Sequence, residues 1–113
     1  HTFFGARILL NTVLLPAART QRGLEFRAAM ADCCLCHHER WDGTGYPLGL
    51  AGESIPYLAR LVAIADAYEA MTAGRPYQKA ISRQQALRTI SEGAGNQFDP
   101  ILAGLFCAAQ RNA

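Results

Sequence analysis

The sequence predicts an all-α protein: a bundle of about five helices, with one long loop between the second and the third. Three observations predict it. Apolar residues recur at helical spacing in stretches with recognisable start and stop signals. No segment alternates apolar and polar residues as a half-buried strand does. Half of the 113 residues are hydrophobic and only 18% are charged, so there is enough apolar material for a core and little case for disorder.

The first helix is expected over His1 to Leu15, with Phe4, Ile8, Leu9, Leu10 and Val13 on its apolar side and Pro16 as its stop. Ala17 to Gly23 reads as a short basic linker. Leu24 to about His38 reads as a second helix, rich in alanine and cysteine. Arg40 to Pro56 is the loop, punctuated by Gly43, Gly45, Gly49 and Gly52. Loops of that length in small domains are functional or disordered, and Trp41, Tyr46 and Leu50 argue against disorder. Tyr57 to Ala73 is the strongest helix, preceded by Pro56 and closed by Gly74. Leu58, Leu61, Ala65, Tyr68 and Thr72 are expected on one face. Asp66 falls on a second stripe with Ala59, Val62, Ala63, Ala70 and Ala73. A carboxylate there needs a metal, a hydrogen bond or an ion pair, for instance to Arg60 or Arg75. Ser82 and Gln85 form a capping box for the next helix, which runs to about Ser91. Asp99 and Pro100 open the last, through Ala109.

A formal charge of +2, with 11 Lys and Arg spread along the chain, argues against a nucleic-acid polymer as partner. No apolar run is long enough to cross a membrane, so no membrane contact is expected of this segment. The chain begins at His1 rather than a methionine, which reads as a fragment or an excised domain. Cys33, Cys34 and Cys36 crowd one helical stretch, with Cys107 apart. Reduced thiols used as small apolar residues are the simplest reading, and they place the protein in the cytoplasm.

The stretch HHERWDGTGYP, His37 to Pro47, joins two imidazoles to a glycine-rich aromatic loop. Adjacent histidines on a helix point about 100° apart and suit two neighbouring ions better than one. With Asp66, and with His1, they make a mixed His/carboxylate set that favours iron, manganese or zinc. Such a pair of ions suits phosphoryl transfer. A rival is c-type haem held through Cys33, Cys36 and His37, which match CxxCH. Arg75 and Lys79, flanking Tyr77, suit an anionic ligand or a plain solvated connection.

The stretch from HHERWDGTGYP through RPYQKA closely resembles the HD-GYP family, metal-dependent phosphohydrolases of bacterial second-messenger signalling that degrade cyclic di-GMP. GNQFDP, at Gly95 to Pro100, and HTFFGARIL, at the start, extend the resemblance over residues 1–113, read as the C-terminal part of one such domain. The resemblance implies an HD-superfamily helical bundle. It implies two or three divalent ions, iron or manganese before zinc, with His1, His37, His38 and Asp66 as ligands. His37, His38 and Asp66 would carry the catalysis, and Tyr46, Arg75 and Lys79 would meet the substrate. The implied reaction is in-line hydrolysis of cyclic di-GMP to pGpG and onward to GMP. GGDEF-type or other signalling proteins would dock on the GYP loop, and exposed apolar surface fits a homodimer. Two departures stand out. The family's HD dipeptide and its lysine are not in the sequence, so a second expectation is a catalytically incomplete domain that binds cyclic di-GMP or a protein partner. Glu69 stands where the family has Asp.

Overall fold

The computed structural model describes residues 21–112. The first predicted helix, and His1 with it, lie outside the described residues. Four helices follow in order: α1 (Gln21–Cys36), α2 (Tyr57–Ala73), α3 (Arg83–Glu92) and α4 (Pro100–Arg111), with a 3-10 turn at Gly52–Ser54 inside the long loop. Among the described residues there is no strand, only two isolated bridges, and no helix is long and apolar enough to cross a membrane.

The expected boundaries hold with two corrections. Gln21, Arg22 and Gly23, read as linker, are the first turn of α1. That helix stops at Cys36, so His37 and His38 lie in the turn after it, not on the helix. The helix starts behave as their residues predict. The Ser82 Oγ accepts the Gln85 N–H at 3.1 Å, and the Gln85 side-chain oxygen accepts the Ser82 N–H in return. The Asp99 carboxylate accepts the Ile101 and Leu102 N–H groups, with Pro100 as the first helical residue.

Two apolar clusters fix the helices. The larger joins α2, α3 and α4 through Ile64, Leu87, Ile90, Phe98, Leu102, Ala103 and Cys107. Tyr68 meets Phe106 edge-on at its side, with ring centroids 5.4 Å apart. The smaller ties the end of α1 to the start of α2 through Cys36, Ile55 and Ala59. The packed stripe of α2 is therefore Ile64, Ala67, Tyr68 and Met71, at helical spacing. Of the face holding Leu58, Leu61 and Tyr68, Tyr68 packs on the cluster while Leu58 and Leu61 are exposed, because α3 and α4 approach α2 from the Ile64 side. All four cysteines are free thiols, and Cys33, Cys36 and Cys107 are buried. Burial pushes the Cys33 and Cys36 thiols up, helped by Cys34 beside the first and by Glu39, Asp32 and Cys33 around the second. The two thiols of the CxxCH match, Cys33 and Cys36, are thus both buried.

Candidate metal and phosphate cleft

The long loop is held as a rigid lobe by one carboxylate to which the sequence reading gave no role. Glu39 is 4% exposed. Its two oxygens accept the backbone N–H groups of Leu48, at 2.8 Å, and Leu50, at 3.0 Å. A buried carboxylate is stable there because backbone donors replace its water. Its signal in the sequence was an acid set between histidine and arginine just before a glycine-rich loop. The Asp42 carboxylate makes a second, exposed knot by accepting the Thr44 N–H and hydroxyl. Those hydrogen bonds, with the Arg40 guanidinium nearby, hold the Asp42 carboxyl below the usual carboxylate range. Gly45 lies against the backbone of the preceding turn. A Cβ on it would meet the Arg40 nitrogen at 2.5 Å and the His38 carbonyl oxygen at 2.6 Å. Further along, the Trp41 and Asp42 N–H groups donate to the Gln97 and Asn96 carbonyls. The loop is thereby zipped to the turn between α3 and α4.

Arg60 locks the far side. Its guanidinium donates to Asp99 at 2.7 Å and to the Ile55 carbonyl at 3.0 Å. One side chain thus joins the loop end, α2 and the start of α4. Burial alone would raise the Asp99 carboxyl, but the Leu102 N–H, the Arg60 guanidinium and the Ile101 N–H outweigh it and hold it below its ordinary value.

Between these fixtures lies a cleft of about 340 Å³. His37, His38, Arg40 and Tyr46 line it from the loop side, and Ala63, Asp66 and Ala70 from α2. Gln97 and Phe98 close it from the turn before α4. The His37 and His38 ring centroids are 4.1 Å apart and tilted by 43°. Tyr46 stacks on His38 at 5.1 Å. His37 Nδ1 lies 3.1 Å from both the Cys33 and the Cys34 carbonyl oxygens. Those carbonyls can only accept, so Nδ1 carries the proton and Nε2 keeps its lone pair for a metal. Burial and the neighbouring His37 lower the His38 imidazole below its ordinary 6.5, against an opposing pull from Asp66. A neutral ring is the form that ligates.

The structure brings together His37, His38, Asp66 and Tyr46, as the sequence reading expected. Asp66 is exposed at the cleft, not buried among alanines. The ion pairs offered for it are taken elsewhere: Arg60 pairs with Asp99, and Arg75 with Glu69 at 3.2 Å. Arg75 and Lys79 are not among the cleft's lining residues. Arg75 instead opens a tight turn, exchanging two backbone hydrogen bonds with Gln78, and Tyr77 at its tip is 87% exposed. Arg40 and Gln97 line the cleft and were not singled out from the sequence. The donor chemistry of His37, His38 and Asp66 fits a transition metal. Among the described residues, no three His, Cys, Asp or Glu side chains gather closely enough to hold one ion by themselves.

Comparison with known proteins agrees with this geometry. The model of the HD domain family matches residues 7–102. A cyclic di-GMP phosphodiesterase of Vibrio cholerae is 46% identical over 85 residues, covering 75% of this chain and 17% of that protein. One of Pseudomonas aeruginosa is 42% identical over 109 residues, covering 96% of this chain and 23% of its own length. A 3'3'-cGAMP-specific phosphodiesterase of Vibrio cholerae is 41% identical over 64 residues, covering 57% of this chain and 14% of its own length. The chain thus spans less than a quarter of each of these relatives. With the family model matching most of the sequence, and the two histidines, Tyr46 of the GYP loop and Asp66 set around one cleft, the chain belongs to the HD domain family, as a domain of the HD-GYP type.

Proposed function

We propose that this chain is part of a phosphodiesterase domain that hydrolyses cyclic di-GMP, opening the ring to pGpG and cleaving onward to GMP. The convergence of His37, His38, Asp66 and Tyr46 on one cleft carries the reading. The names of the Vibrio and Pseudomonas relatives support the substrate. His37, His38 and Asp66, together with His1, would hold two divalent ions, with iron or manganese favoured over zinc. When bound there, such ions would supply Lewis-acid activation of water and charge stabilisation for phosphoryl transfer.

The residues of the chain supply the rest. His37 is fixed in one tautomer by the end of α1. Tyr46 presents an aromatic face at the cleft and orients His38 by stacking. A purine base has a face of the same kind to offer, so Tyr46 suits one base of the dinucleotide. Glu39 holds the loop that carries Tyr46 in place.

The test is metal content by mass spectrometry alongside cyclic di-GMP turnover, for wild type, His38→Ala and Asp66→Asn. The wild type is expected to hold about two ions per chain, and each variant to lose metal and at least about 100-fold in turnover. Unchanged metal and turnover in both variants would overturn the reading. A second substrate reading, 3'3'-cGAMP, rests on the similarity to the cGAMP-specific relative. Parallel assays on the two cyclic dinucleotides decide between them.

A further inference from the structure

A phosphodiester brings negative charge into the cleft, and the positions expected to meet it, Arg75 and Lys79, do not line it. Among the described residues that line the cleft, one lysine or arginine is present: Arg40. Its backbone is fixed. Its carbonyl accepts the Gly43 N–H at 2.9 Å, and its amide nitrogen lies under Gly45. Its guanidinium is not. It meets Asp42 at 3.4 and 3.5 Å, longer than a good charge-assisted bond, and its side chain is 38% exposed. The short bonds that Asp42 accepts come from the Thr44 hydroxyl and N–H, at 2.6 and 3.0 Å. A pair so long and so exposed holds the side chain weakly. The base of Arg40 is thus pinned at the cleft wall while its head can leave Asp42 at little cost.

We infer that Arg40 is a phosphate-binding arginine of the cleft, releasing Asp42 to make a forked hydrogen bond to a phosphate of the bound dinucleotide. The planar guanidinium matches two phosphate oxygens at once, which an ammonium cannot do. It lies in the turn that holds His37 and His38, so it orients the phosphate against the histidine pair. Asp42 serves as its resting partner, keeping the head beside the cleft when no substrate is bound.

This inference rests on the phosphodiesterase reading, and its test separates the two. Arg40→Gln and Arg40→Lys are compared with wild type for calorimetric binding of cyclic di-GMP, for KM and kcat, for metal content and for thermal midpoint. A generic diester, bis(p-nitrophenyl) phosphate, is assayed in parallel. Arg40→Gln is expected to weaken cyclic di-GMP binding and raise KM by about 10- to 100-fold, the usual worth of a hydrogen bond to a charged group. Metal content and thermal midpoint stay unchanged, and Arg40→Lys recovers part of the loss. Equal binding and equal KM in Arg40→Gln and wild type would overturn the inference. Loss of metal or of folding in Arg40→Gln at unchanged KM per folded, metal-loaded chain would overturn it too, by showing a structural role. Where the wild type acts on bis(p-nitrophenyl) phosphate but neither binds nor cleaves cyclic di-GMP, the substrate reading fails. Arg40 is then judged by the KM for the generic diester alone. Where the wild type handles neither compound, both proposals fall.

Discussion

At the scale of single residues, the cleft depends on two residues that do no chemistry. Glu39 is surrounded by functional residues yet spends both oxygens on the Leu48 and Leu50 backbone. Glu39→Ala would leave two N–H groups of the loop without their acceptor and is expected to cost about 3 kcal/mol. The thermal midpoint falls, and Tyr46 loses its register over His38. Glu39→Gln, which keeps one acceptor oxygen, should cost less. A chemical melt of the three proteins gives the order. Gly45 has no space at all: the atoms a Cβ would strike are backbone, which cannot rotate away. Gly45→Ala is expected to unseat the loop and abolish metal retention, whereas Gly52→Ala, where a Cβ would meet nothing, should cost only the strain of its positive φ. Metal analysis of the two alanine variants checks the contrast.

At the scale of elements, the joint between Arg60 and Asp99 carries the most consequence. Asp99 caps α4, and Arg60 ties that cap to α2 and to the loop end. The folded Asp99 carboxyl lies below its ordinary value, so it contributes stability above the unfolded carboxyl's range, near pH 4. That contribution disappears as the pH falls through the folded value. Asp99→Asn keeps a capping oxygen but loses the charge. Its deficit against wild type is therefore expected to be full at pH 6 and to shrink steadily below pH 4. Asp99→Ala loses cap and pair together and should cost about 3 to 5 kcal/mol at neutral pH, since Arg60 is left largely buried without its counter-ion. Thermal melts from pH 3 to pH 7 give both curves.

At the scale of the whole molecule, the described residues have two apolar clusters, with the cleft set between the loop lobe and the α2–α4 unit. Ile64 and Ile90 are both fully buried in the larger cluster and line no part of the cleft. Ile90→Ala is expected to cost about 2 to 5 kcal/mol of stability. Because the loop lobe is anchored separately through Glu39 and Ile55, metal retained per folded chain should stay at the wild-type level. Comparison of the melt with metal content at 25 °C checks that separation.

Much of the fold was legible because its signals are local. The capping box at Ser82, the Asp99–Pro100 start, the Gly74 stop and the breaker-rich loop each act within a few residues, and each holds in the structure. The histidine pair, Asp66 and the GYP loop were legible by motif, as members of one family's pattern. What the chain could not show along its length was direction. The packed stripe of α2 was decided by where α3 and α4 lie, which periodicity alone leaves open between two adjacent faces. The partners of Arg60 and Arg75 were decided by distance in space: the residue that binds Arg60 is 39 positions away, at the start of another helix. Which cation faces the cleft was decided the same way. The turn after α1 carries Arg40 to the histidines, while the turn after α2 leaves Arg75 tied to Glu69. Local backbone preference and composition set the elements, but packing set which side chain meets which, and the candidate chemistry of this protein depends on the second.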